Sequence, residues 1–184
     1  MKVLVYLADG FEEIEGLTVV DLLRRVQIDT TTVSITDSKT IHGAHGIDVE
    51  ADVMFDEVKD MKADMVVLPG GMPGTLNLKA HKGVEAAILS NVKEDRYIAA
   101  ICAAPSVFAE LGILDGKTAT SYPSFESVLT DNGCNYIYEP VAIDGKIITS
   151  RGMGTAIDFA GAIISELKDQ KTADDVLDSI VYKK

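Results

Sequence analysis

Residues 96–111 read RYIAAICAAPSVFAEL, and the fold follows from the change of character at the middle of that run. Tyr97 to Ile101 has the length and apolar composition of a strand buried on both faces, whereas Val107, Phe108 and Leu111 recur at helical spacing after Pro105. Cys102 therefore stands where a strand turns into a helix. Proline is favoured in the first helical turn, where its missing N–H leaves nothing unpaired, so a helix should start at Pro105 with its N-terminus directed at the thiol. Such a terminus favours negative charge, and the arrangement is expected to favour a thiolate.

The same strand-then-helix pattern extends in both directions. Residues 2–8 read as a buried strand, and Glu13 to Arg25 as a helix with Ile14, Leu17, Val20 and Leu22 near helical spacing. Residues 30–36 are rich in β-branched types, and Gly46 to Asp52 alternates as an edge strand around Val49. A further buried strand, 64–68, runs into Pro69-Gly70-Gly71-Met72-Pro73-Gly74, which must be a loop. A helix from about Lys82 to Val92 leads into the strand before Cys102, and the helix after it ends near Gly112. Then follow a strand at 117–121, a short helix from Ser124, paired strands near 136–143 and a strand at 146–150. Ile157, Ala160, Ile163, Ile164 and Leu167 mark a long amphipathic helix, and a final helix falls near 171–179. Strands alternating with helices at these spacings predict an α/β fold: a mostly parallel sheet covered on both faces and joined by right-handed crossovers.

At 184 residues with 47% hydrophobic content, the chain suits one well-buried domain over 1–184, without internal repeat or linker. The 17 basic and 29 acidic residues give a formal net charge of −12, which opposes non-specific binding to nucleic acid or an anionic membrane surface. Small molecules or proteins are the expected partners. The only cysteines, Cys102 and Cys134, lie outside any CxxC or His/Cys cluster, so neither a metal nor another cofactor is expected, and reduced thiols fit a cytoplasmic setting. The apolar start before Asp9 is too short for a signal-peptide core, and no run approaches membrane-spanning length.

Parallel sheets of this kind bind ligands at the carboxyl ends of their strands. The loops expected to meet there are Asp9 to Glu15, Pro69 to Gly74, Cys102 to Pro105 and Ser150 to Thr155. A free cysteine is more often a small buried hydrophobe than a nucleophile. At a strand-to-helix turn, with Ala100, Ala103 and Ala104 leaving room, the balance shifts towards a nucleophile elbow, although Gly-x-Ser-x-Gly is absent. Cys134, in the turn-like Asp-Asn-Gly-Cys-Asn, reads as an incidental thiol. Acidic residues are favoured in a first helical turn, which accounts for two of Glu12, Glu13 and Glu15. If Glu15 approaches Cys102, the two acids compete and one shared proton is the natural state. Beside a reactive sulfur the glycines allow close backbone approach, so Gly71 and Ala103 are candidates for an oxyanion-type N–H pair, with Gly70 next to them. Gly152 to Thr155 is a weak anion-binding signal, lacking the lysine and spacing of a P-loop. Arg24, Arg25 and Arg151 read first as surface or interface residues. His42, His45 and His81 all precede Cys102 in polar stretches, and His45 serves as a base only if its loop folds over the site.

Ala-Asp-Gly-Phe-Glu-Glu-Ile-Glu near the start, Val-Val-Leu-Pro-Gly-Gly at 66–71, Ala-Ala-Ile-Cys-Ala at 99–103 and Thr-Ser-Arg-Gly-Met-Gly-Thr at 149–155 together resemble the ThiJ/PfpI superfamily, in particular its parkinsonism-associated DJ-one branch and bacterial relatives. The order and spacing match over essentially the full length. The resemblance implies a flavodoxin-like three-layer sandwich, usually a homodimer, with Cys102 as the oxidation-sensitive nucleophile at the elbow. Glu15 matches the glutamate that hydrogen-bonds the sulfur, and Gly71 and Ala103 match the backbone donors. The implied activities are those of a cysteine-dependent glyoxalase or deglycase acting on methylglyoxal, glyoxal or early protein adducts; the alternatives are a redox sensor or chaperone with an oxidisable cysteine. Tyr122 stands where relatives often place a histidine, which weakens general-base schemes, and Ala103 stands where the protease branch has histidine, which ranks peptidase activity low. Arg25 matches an interface arginine, while a second is replaced near Gly46. Tyr122 and Arg151 complete the candidate pocket, and an anion-binding module without chemistry is the weakest reading.

Overall fold

The computed structural model describes residues 1–182. In its first half are β1 (Lys2–Leu7), α1 (Glu13–Arg25), β2 (Asp29–Ser34), β3 (Thr40–His42), β4 (Asp48–Glu50), β5 (Val53–Met54), α2 (Phe55–Val58), β6 (Met65–Leu68), α3 (Gly74–Ala80) and α4 (Lys82–Lys93). There follow β7 (Tyr97–Ile101), α5 (Pro105–Glu110), β8 (Thr118–Ala119), α6 (Glu126–Asp131), β9 (Asn135–Tyr136), β10 (Val141–Asp144), β11 (Ile147–Ser150), α7 (Ala156–Leu167) and α8 (Gln170–Ser179). Seven strands form the main sheet in the order β10-β11-β7-β6-β1-β2-β5, parallel except for β10 against β11.

The apolar runs are continuous because the sheet is covered on both sides. Along β1, Val3, Val5 and Leu7 face a core closed by α1, α7 and α8, where Val19, Leu23, Phe159 and Ile163 pack. Leu4 and Tyr6 face the opposite core, with Ile88 of α4 and Val107 and Phe108 of α5. In β7, Ala99 and Ile101 take the first face and Ile98 and Ala100 the second, so the strand before Cys102 is held on both sides. Each fully buried Leu, Ile or Phe among these is worth about 1.5–3 kcal/mol. Cys134 is buried in the second core, 8% exposed, despite its turn-like sequence.

Two expectations need correction, and one element is added. The alternating segment around Val49 does not edge the main sheet: Asp48–Glu50 pairs antiparallel with Thr40–His42, and Val53–Met54 is the edge. Gly46, at φ 76, makes the turn that folds β4 back on β3. The strands near 136–143 are not partners of each other. Asn135–Tyr136 pairs with Thr118–Ala119, and Val141–Asp144 pairs with Ile147–Ser150 across a turn at Gly145, φ 61. Finally, Gly74–Ala80 is a helix, a short element opening directly on the glycine-rich loop.

Candidate active site

Cys102 caps β7 with φ 65, in the left-handed region that a side chain rarely occupies. Its backbone is tied on both sides. The Cys102 N–H donates to Ser150 O at 2.9 Å, extending the β7–β11 ladder, and its carbonyl accepts from the Tyr122 N–H at 2.8 Å. The thiol, on a half-buried residue, is turned away from the ladder into the crevice between loops.

Glu15 reaches that crevice because the start of α1 is laced to the loop after β6. The Glu12 N–H donates to Gly70 O at 2.9 Å, the Gly74 N–H donates to Gly10 O at 3.1 Å, and the buried Phe11 ring lies against Gly16. Glu15 is 1% exposed, and its Oε2 accepts from the Gly70 N–H at 2.8 Å. Oε1 is buried without a partner at hydrogen-bond geometry. Its polar neighbour is the Cys102 sulfur, close enough for each group to shift the other's ionisation.

Gly70 and Gly71 are glycines for packing reasons. A methyl group on Gly70 would lie 2.6 Å from both Cys102 Cβ and Glu15 Oε2; one on Gly71, where φ is 90, would lie 2.6 Å from Gly10 O. The N–H groups of Gly71 and Ala103 are directed at the sulfur and draw its ionisation down. They do not prevail. Burial, and then the Glu15 carboxylate, push the thiol up to about 12, which overturns the expectation of a thiolate set by the helix start alone. Helix α5 is only 6 residues long, so its dipole is a small opponent to desolvation. Burial also pushes Glu15 up to about 7. Both shifts have the same leading cause, burial, which disfavours the ionised form of each group.

The remaining candidates divide. The Tyr122 ring flanks the crevice beside Gly152. Arg151 turns to the neighbouring strand connection, donating from Nη1 to Tyr138 O at 3.0 Å with its guanidinium 5.6 Å from the Tyr138 ring centroid. The histidines sit elsewhere: His42 pairs with Asp48, and His81 Nδ1 accepts from the Val84 N–H. The His45 loop does fold over the start of α1, but its ring meets Glu13 Oε2 at 3.0 Å, with Glu12 further off at 3.6 Å. Glu13 is thus not a simple helix-end charge. It is 4% exposed and its Oε1 accepts from the His45 N–H at 2.8 Å, which anchors the loop. Gly152 is the site residue missed by sequence reasoning; the Gly-Met-Gly run after a buried strand was its only signal, and that run was weighed as an anion loop.

The sequence pattern of the DJ-1/PfpI family matches residues 1–166. The chain belongs to the DJ-1/PfpI family. The solved structure of Drosophila melanogaster DJ-1beta superposes with a TM-score of 0.95 at 35% identity, covering 100% of this chain and 98% of that one. A deglycase of Thermococcus kodakarensis is 33% identical over 84% of this chain and 92% of its own length. Protein DJ-1 homolog A of Arabidopsis thaliana is 37% identical over 95% of this chain, which spans only 45% of that protein's length. The flavodoxin-like sandwich expected from the motifs is the fold observed, with the family's loops at the carboxyl end of the sheet. Among the described residues, no helix is long and apolar enough to cross a membrane.

Proposed function

We propose that the protein is a cysteine-dependent glyoxalase or deglycase-type enzyme, converting small α-oxoaldehydes such as methylglyoxal, free or as early protein adducts, to hydroxy acids. The observation that carries this reading is the buried Glu15 carboxyl set against the half-buried Cys102 thiol, with two backbone N–H groups directed at the sulfur. The deglycase relative supports the substrate class.

With the shared proton on Glu15, the sulfur adds to the aldehyde carbon. The carbon–sulfur bond forms, and the carbonyl oxygen takes the proton to give a hemithioacetal. The Glu15 carboxylate then removes the proton from that carbon and returns it to the adjoining carbonyl carbon, while the hemithioacetal hydroxyl proton passes to the adjoining carbonyl oxygen. The first carbon is oxidised and the second reduced by the same electron pair, leaving a thioester. Water cleaves the thioester, releases the hydroxy acid and restores the thiol, so the net change is addition of one water. The Gly71 and Ala103 N–H groups stabilise the sulfur's charge before attack and on release. Incubation with methylglyoxal is expected to yield lactate over many turnovers; failure to exceed one equivalent per chain contradicts the reading.

The same donors favour a second reading, a redox sensor. Two peroxide molecules convert the thiol to a sulfinate and two waters, and protonated Glu15 with the two amides would hold the sulfinate oxygens. Mass spectrometry after mild peroxide is expected to find two added oxygens on Cys102 and none on buried Cys134. Equal oxidation of the two contradicts it.

A further inference from the structure

Three glycines border the sulfur, and only two have a packing reason to be glycine. At Gly70 and Gly71 a methyl group would drive into backbone or buried side chains, whereas Gly152 has φ 160 and ψ −168, extended backbone open to any residue. A methyl group there meets only ordinary contacts: 3.4 Å to Tyr122 Cδ2, 3.8 Å to Cys102 Sγ and 3.9 Å to Glu15 Oε1. The backbone bonds at this residue, from its N–H to Thr155 Oγ1 at 3.1 Å and from the Thr155 N–H to its carbonyl at 2.8 Å, need no glycine. Neither conformation nor packing accounts for the missing side chain. What it leaves is a space bounded by the nucleophile, the orphaned acid oxygen and an aromatic ring.

A carbonyl under attack must lie at about 3–3.5 Å from the nucleophile, with the proton donor in reach. The point where a Gly152 methyl group would sit, 3.8 Å from Sγ and 3.9 Å from Oε1, borders both groups, and a carbonyl there has only to draw slightly closer to the sulfur. We propose that Gly152 is the size filter of the site: the room left by its absent side chain is the slot in which the reacting carbonyl lies against Sγ, on the Gly152 side of the Glu15–Cys102 pair, with Tyr122 as the far wall that limits its substituent. This inference rests on the proposed enzymatic function and names the residue that selects the substrate.

The test is Gly152→Ala, which is expected to melt within a few degrees of the wild type because the added methyl fits; loss of the fold overturns the premise. Oxidation of Cys102 by hydrogen peroxide should change less than about twofold, turnover of glyoxal should fall several-fold, and turnover of methylglyoxal should fall about 10- to 100-fold, the range typical of a single methyl group in a pocket. Adding Tyr122→Ala should recover most of the methylglyoxal loss. Equal reduction for both aldehydes, or none, overturns the filter. If the wild type turns over neither aldehyde, the enzymatic reading fails, while the slot is still judged by N-ethylmaleimide. The maleimide rate relative to peroxide should drop about tenfold in Gly152→Ala, and an unchanged ratio overturns the slot.

Discussion

Cys102→Ala is expected to lower lactate formation from methylglyoxal by at least about 10³-fold, the scale of losing a covalent nucleophile whose partners act as a unit. The loss should fall on turnover and not on the fold. Alanine keeps the Cβ at φ 65, the ladder bond to Ser150 O and the carbonyl bond from Tyr122, so the elbow retains its shape. Melting temperature reports that separation directly. Cys134→Ala is the control: that thiol lies in the core under α6, and its removal should leave turnover within about twofold while costing on the order of 1 kcal/mol of stability. Lactate formation that survives Cys102→Ala, measured on protein freed of contaminating enzymes, rules out the sulfur mechanism.

Glu15→Gln is expected to stabilise the protein while disabling it. In the folded state burial raises this carboxyl from 4.5 to about 7. Between those values the unfolded chain ionises at Glu15 while the folded chain keeps its proton. The group's contribution to stability is therefore complete below pH 4.5, declines as pH rises towards 7, and is absent above it. The ceiling on that loss is about 3 kcal/mol. Glutamine stays neutral, keeps an oxygen to accept the Gly70 N–H and avoids the charge. Urea unfolding should show the variant more stable than the wild type by about 1–3 kcal/mol at pH 8, with the advantage shrinking at pH 5. Opposing carboxylates, such as Glu13 held low by His45, are common to both proteins and cancel in the difference. An identical pH dependence would refute the assignment. Turnover should fall, because the amide cannot carry the proton, yet iodoacetamide should alkylate Cys102 faster at pH 8 once the neighbouring negative charge is gone. Faster alkylation with slower turnover separates the nucleophile from the proton carrier.

The elements that carried strong local signals were legible. β1, β6 and β7 are continuous apolar runs because the sheet is buried on both faces, and the run 97–101, the helical spacing after it and Pro105 together placed Cys102 at the elbow. Glu15 was singled out by its match to the glutamate of the family motif, since its place in the first turn of α1 did not separate it from Glu12 and Glu13. Its burial was not legible, since that depends on the lacing of Glu12 and Gly74 to residues distant in sequence. For the same reason the thiol's ionisation was misjudged: helix direction is local, whereas desolvation is set by the assembled loops. Strand pairing failed where turns decide it, at Gly46 and Gly145, because alternation specifies a strand without naming its neighbour. Gly152 stayed hidden because a side chain's absence acquires meaning only beside Sγ, Oε1 and Tyr122.

The double tether of the elbow fixes the backbone that carries the sulfur. The Cys102 amide is a rung of the ladder between β7 and β11, and its carbonyl is held by the strand connection at Tyr122. Such a group opens only when the central sheet opens, so its hydrogen should exchange among the slowest in the chain. The sulfur is thus a half-buried reactant mounted on a backbone tied from both sides. An elbow tied in this way holds the sulfur in place before any substrate arrives.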